Sequence, residues 1–166
     1  MLTQSDLEAI IIDATEIQTQ RPFHHQRQYY SGKKKKHSLK IEIMTDTLGK
    51  ILSISKAVPG RIHDFKLRKQ SDKIPRNITV LADSGYQGLQ QIHPKTILPH
   101  KRRRKCTLIP EEQAHNRALA SKRIVVEHVF AHIKKFKILG STYRNFQKKL
   151  NLRFNIIAGI HNLKFS

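Results

Sequence analysis

Three acidic residues stand where apolar side chains would pack better. Asp13 interrupts the run Ala9 to Ile17, Asp83 closes the apolar stretch Asn77 to Asp83, and Glu127 breaks a valine-rich helical segment. The chain has only 12 acids, so three in such settings ask for a chemical reason. Folded together about 4 Å apart, they would repel by roughly 4 kcal/mol per pair at an effective dielectric near 20. That is a large fraction of the roughly 5–15 kcal/mol that holds a domain together. Divalent cations remove the repulsion, and an all-oxygen donor set favours Mg²⁺ or Mn²⁺ over zinc. Two such ions would activate a water or a DNA 3′-hydroxyl and stabilise the leaving oxygen of an in-line phosphoryl transfer. The plainer alternative gives each acid a local role, in which Asp13 caps a strand end, Asp83 serves its turn, and Glu127 pairs with Arg123 four residues earlier.

The surrounding residues say which elements must carry these acids. Ala9 to Ile17 alternates as a strand, with Ile11, Asp13, Thr15 and Ile17 on one face and Ile10, Ile12, Ala14 and Glu16 on the other. A long polar connection follows from Gln18 to His37. Segments His37 to Thr45 and Lys50 to Ala57 alternate around the turn residues Asp46 to Gly49 and predict an antiparallel hairpin. A short helix over His63 to Ser71 precedes the Asn77 to Asp83 strand, which Ser84-Gly85 stops. A short helix near Gln87 to Ile92 and a strand at Thr96 to Pro99 come next. Pro110, Glu111 and Glu112 open a helix running to about Lys137, because proline suits the first turn and acids suit the positive end of the dipole. Val126, Val129, Phe130, Ile133 and Phe136 form its apolar stripe, with Glu127 at the edge. A last helix spans about Phe146 to Leu163. This order predicts an α/β, ribonuclease H-like fold, a mixed five-stranded sheet flanked by helices. Carboxylates from its first and fourth strands can then be neighbours at the carboxyl ends where open α/β sheets bind ligands.

Composition points the same way. The 166 residues carry 32 Lys and Arg against 12 Asp and Glu, a formal charge of +20, which is costly by self-repulsion unless the partner is a polyanion. Residues 101–166 hold 16 basic and 3 acidic side chains, so the charge is densest late in the chain. The candidate phosphate contacts are Lys33, Lys34, Lys35 and Lys36, then Lys101, Arg102, Arg103 and Arg104, and finally Arg123 and Lys134, which flank Glu127 on one helical face. For the lysine-rich runs, a solvated loop is the alternative. Tyr29, Tyr30 and Tyr86 could stack on unpaired bases or pack beside their turns. The lone Cys106 excludes an internal disulfide and a cysteine-rich zinc module. His128 and His132 lack the intervening Glu of a zincin helix. No stretch approaches membrane-spanning length, and the N-terminus has no export signal, so a cytoplasmic, nucleoid-associated location is expected.

Several segments together resemble one family. They are Ile12-Asp13-Ala14-Thr15-Glu16 with Gln20-Arg21-Pro22, Tyr29-Tyr30-Ser31-Gly32-Lys33-Lys34 with His37, and His63-Asp64 after Gly60. With them stand Asp83-Ser84-Gly85-Tyr86-Gln87-Gly88 and Arg123-Ile124-Val125-Val126-Glu127-His128 leading to Lys134 and Phe136. In this order they resemble the catalytic domain of DDE transposases from bacterial insertion sequences, related to the Harbinger superfamily. The resemblance implies a ribonuclease H-like domain over residues 9–166 after a short tail at 1–8. It implies that Asp13, Asp83 and Glu127 hold two Mg²⁺ (or Mn²⁺) ions for cleavage and strand transfer of double-stranded DNA, at the element ends and the target. His63 and Asp64 match a further signature and are expected to support the site or touch DNA. Glu16 also matches, although alternation turns it away from Asp13. Such transposases act as dimers on paired ends, so a homodimer is expected. Members usually carry a helix-turn-helix segment before the catalytic domain. Here the first strand begins within ten residues of Met1, so that segment is expected on a separate subunit or a fused upstream frame. The competing expectation is a non-catalytic DNA-binding protein derived from a truncated transposase.

Overall fold

A computed structural model of the chain describes residues 7–102, 106–145 and 149–165. Strand β1 (Ala9–Gln18) lies at the centre of a mixed sheet. Strand β3 (Lys36–Thr45) runs antiparallel beside it, with Asp13 opposite Ile43 and Glu16 opposite Lys40. On its other edge β1 pairs in parallel with β6 (Thr79–Leu81), Ile11 opposite Leu81, and β6 pairs in parallel with β7 (Thr96–Ile97).

The expected sheet had five strands; among the described residues it has seven. The polar connection after β1 contains a turn of helix, α1 (Gln26–Tyr29), and a two-residue strand, β2 (Tyr30–Ser31), paired with the start of β3. The strand expected over Lys50 to Ala57 is the shorter β4 (Ile51–Ile54), and a separate two-residue strand, β5 (Val58–Pro59), follows beyond it; both pair with β3. A register shift at Met44/Thr45 bends the ladder, and Pro59 brings no N–H to extend it. The hairpin turn is built as its residues require. Asp46 Oδ1 accepts from the amides of Leu48 and Lys50 at 2.9 and 2.8 Å, and Gly49 takes φ +94°.

Helices cover both faces. Helix α3 (Pro110–Lys134) and helix α5 (Leu150–Asn162) pack the stripe Leu119, Val126, Val129, Phe130 and Ile133, together with Phe154 and Ile157, onto Ile11, Ile17, Ile41 and Ile43. At the start of α3 the carboxylate of Glu112 accepts from the Ile109 amide, closing one of the open N–H groups of the first turn. The helix stops at Lys134, a few residues short of the expected end. An extended Phe136 then separates it from the short α4 (Lys137–Gly140). Phe146, the expected start of the last helix, lies outside the described residues; α5 starts at Leu150. On the opposite face Ile10, Ile12, Val80, Ala82 and Tyr86 form a second core, with Phe65 of α2 (Asp64–Gln70) against it. No helix among the described residues is long and apolar enough to cross a membrane.

Candidate active site

The first two acids lie near one another, the charge of Asp83 acting on Asp13. Ile11 of β1 pairs with Leu81, the last residue of β6; Asp13 stands two residues further along β1, and Asp83 two residues past the end of β6. Asp13 projects to the α3 face with Ile11, where Arg123 of α3 meets it. Pairing ends at Leu81, where the chain turns off into a 3₁₀ turn over Ser84–Tyr86. The edge of β1 from Asp13 onward is thereby left open as a cleft. Asp83 starts that turn, its Oδ1 accepting from Gly85 N at 2.7 Å. It serves its turn, as the plainer reading held, and its charge also acts on Asp13.

Asp64 is the third carboxylate at this place. A Cβ built on Gly85 would fall 2.5 Å from Asp64 Oδ2 and 2.9 Å from Asp83 Oδ1. Only a residue without a side chain lets the two acids approach across the turn. Sequence reasoning took Gly85 as a strand stop and did not see this second role. Asp64 also pairs with Lys40, whose Nζ lies 2.8 Å from Oδ1 and donates to the Ile62 carbonyl. A lysine at a buried position of β3 was the available signal for this contact, since a buried lysine needs a partner. His63 lines the same cleft.

Burial pushes the carboxyl of Asp13 up to about 6 against the opposing pull of Arg123, and the charges of Asp83 and Asp64 push it further. The Ala14 amide donates to Asp13 Oδ1 at 2.8 Å, and Arg123 Nη2 approaches Oδ2 at 3.3 Å. Arg123, expected as a phosphate contact or as the partner of Glu127, thus faces Asp13. Glu127 is exposed on α3. Arg123, Glu127 and Lys134 share one stripe at intervals of four and seven residues, and both outer members act electrostatically on Asp13 or are acted on by it. Glu127 shares that stripe but is not among the charges that act on Asp13, which are Arg123, Asp83 and Asp64. Among the described residues no three His, Cys, Asp or Glu are already arranged to hold a metal ion.

A cavity of about 400 Å³ continues from the acids along β1, bounded by Ala14 and Glu16, the Lys33-Lys34 turn, Arg61 and Lys134. Desolvation and the neighbouring Lys34 hold the ammonium of Lys134 below the usual lysine range. Glu16 faces away from Asp13, as alternation required, and accepts from Ser38 Oγ at 2.6 Å. Lys35 completes the exposed turn between β2 and β3, and Lys36, the exposed first residue of β3, opens onto an adjoining cavity beside Lys134. Lys101 and Arg102 are exposed, while Arg103 and Arg104 lie outside the described residues. His132, half of the histidine pair on α3, contacts His161, whose Nε2 bonds the Gly49 carbonyl at 3.0 Å.

These features define a mixed α/β domain with a carboxylate cleft and a basic margin. Residues 12–162 match the DDE superfamily endonuclease family, and the chain belongs to it. It is 38% identical over 159 residues to the "Probable transposase for insertion sequence element IS702" of Microchaete diplosiphon, covering 95% of this chain and 57% of that protein. The chain thus spans little more than half the length of this relative. No solved structure matches it.

Proposed function

We propose that this chain is the catalytic domain of an insertion-sequence DNA transposase, of ribonuclease H-like fold, that cleaves DNA and transfers the cut strand by metal-dependent phosphoryl transfer. The observation that supports this most is the gathering of three carboxylates at the ends of β1 and β6: the charges of Asp83 and Asp64 both act on the mostly buried Asp13, and Asp64 and Asp83 meet across Gly85. The donor chemistry fits a hard divalent cation: carboxylate oxygens only, one of them in a mostly buried side chain, and a Gly85 cradle that a Cβ would fill. Asp13 and Asp83 would hold the ions, with Glu127 reaching from α3. Two Mg²⁺ or Mn²⁺ ions would polarise the scissile phosphate and lower the pKa of the attacking hydroxyl.

The chain's own residues do the rest. Ala14 N–H and the Asp83–Gly85 turn fix the orientation of the two carboxylates. Lys40 holds Asp64 beside them. Lys33, Lys34 and Lys134 line the route by which a phosphate backbone would enter. The resemblance and the length of the IS702 relative support a longer working protein that recognises element ends through a helix-turn-helix segment and acts as a dimer. The test is nicking of supercoiled DNA with Mg²⁺ or Mn²⁺. Asp13→Asn, Asp83→Asn and Glu127→Gln should each lower it by roughly 10³-fold while leaving DNA affinity in EDTA unchanged. Full activity in Asp83→Asn would refute the assignment.

One observation favours a second reading. Asp13 and Asp64 each face a cation of the protein, Arg123 and Lys40, as they would in a DNA-binding protein that has left catalysis behind. Tight binding with no nicking or joining under either metal, even with a helix-turn-helix partner segment added, would favour it.

A further inference from the structure

The polar connection between β1 and β3 builds a second cavity that the carboxylate chemistry does not use. It measures about 490 Å³, within the range of ligand sites. Arg21, Arg27 and Arg61 line it together with Tyr30 and His37. No carboxylate lines it, and among the described residues neither Arg27 nor Arg61 has an ion pair. Arg21 is steadied by Gln26, whose Oε1 accepts from its Nε at 2.9 Å. Three guanidiniums thus line one cavity with no counter-charge among its residues, and their planar forks match phosphate oxygens.

The aromatic pair supplies the other half of a ligand site. Tyr30 and His37 are cross-strand partners, their rings edge to face at 5.5 Å and 71°. Tyr30 keeps 42% of its surface exposed, so a flat group can stack on it. Phosphate recognition beside a stacking face suits a nucleotide, and a base can reach such a face only when it is out of the duplex. Gly32 and Arg61 are shared with the cavity that runs to Asp64 and Ala14. The two cavities therefore adjoin, and the second reaches Asp64 and the Ala14 neighbour of Asp13.

We propose that this Arg21–Arg27–Arg61–Tyr30 cavity holds an unpaired nucleotide of the DNA strand adjoining the cleavage position. It deepens the functional reading above, and rests on that reading for the identity of the polymer. The site selects for local strand opening while remaining indifferent to base identity, since every base offers a face to stack on.

The experiment compares a blunt duplex with the same duplex bearing a short single-stranded flank, by fluorescence anisotropy in EDTA. A 2-aminopurine in the flank reports stacking. Wild type should prefer the flanked DNA and quench the probe. Tyr30→Ala should lose about tenfold in affinity for flanked DNA only, and Tyr30→Phe should keep it. Arg27→Gln with Arg61→Gln should lower the salt slope on flanked DNA by about two, which keeps the test decisive should Tyr30→Ala fold poorly. Equal affinity for both DNAs, or an unquenched probe, overturns the proposal. Because EDTA removes any metal, the flank preference should also persist in Asp83→Asn. A preference without any nicking under either metal, with a helix-turn-helix partner segment added, would sink the nuclease reading and leave the unpaired-nucleotide site standing; nicking without a preference would do the reverse.

Discussion

Arg123 Nη2 lies 3.3 Å from Asp13 Oδ2, a contact spanning 110 positions of sequence and joining the middle of α3 to the centre of the sheet. The Arg123 guanidinium opposes the rise that burial imposes on Asp13.

Arg123→Ala should therefore raise the Asp13 titration midpoint above about 6, read from the carboxyl carbon by NMR in the metal-free protein. Removing an opposing positive charge favours the neutral acid. A midpoint unchanged or lowered would mean the pair is geometric only.

Metal affinity should follow the same group. A cation binds the ionised carboxylate and displaces a proton, so Mn²⁺ affinity should rise with pH through about 6 and level off above it. Calorimetry in buffers of different ionisation enthalpy would count the proton released. Asp13→Asn should abolish both the slope and most of the affinity, and EDTA should end nicking without releasing DNA.

Gly85→Ala should damage the site through crowding. Its Cβ would press on the carboxylates of Asp64 and Asp83 at 2.5 and 2.9 Å, and overpacking of this kind costs about 1–3 kcal/mol. Thermal unfolding should show the loss, and nicking should fall more than DNA binding does. An unaltered metal affinity would contradict the cradle.

A buried ion pair under α2 gives a pH-dependent stability test. Arg68 Nη1 lies 2.7 Å from Glu42 Oε1, and Arg68 Nη2 also bonds the Asp72 carbonyl. Burial lifts the Glu42 carboxyl to about 7 against the pull of Arg68. A folded value above the unfolded one favours the fold fully below about pH 4.5, and this contribution is lost as pH rises through about 7. Arg68→Met, which strands the charge, should destabilise by about 3–5 kcal/mol near pH 8 and by much less near pH 5, as measured by urea unfolding. Equal losses at both would place the role of Arg68 in packing alone.

Period and turn chemistry made much of this legible in the residues. The alternation of Ile10 to Ile17 assigned Asp13 and Glu16 to opposite faces, and both lie there. Asp46 to Gly49 specified its turn, and the Val126 to Ile133 stripe specified the buried side of α3. Such features are written in neighbouring residues, because a strand repeats every two and a helix every 3.6. Contacts between distant segments were not legible in that way. Nothing near Arg123 distinguishes a partner four residues away from one 110 residues away; the crossing of α3 over β1 chose Asp13. The meeting of Asp64 with Asp83 at Gly85, the burial of Lys40 and the shortening of the third strand likewise depend on register and layer packing. Local sequence sets which side a residue faces, whereas the assembled sheet and helices set what it meets there.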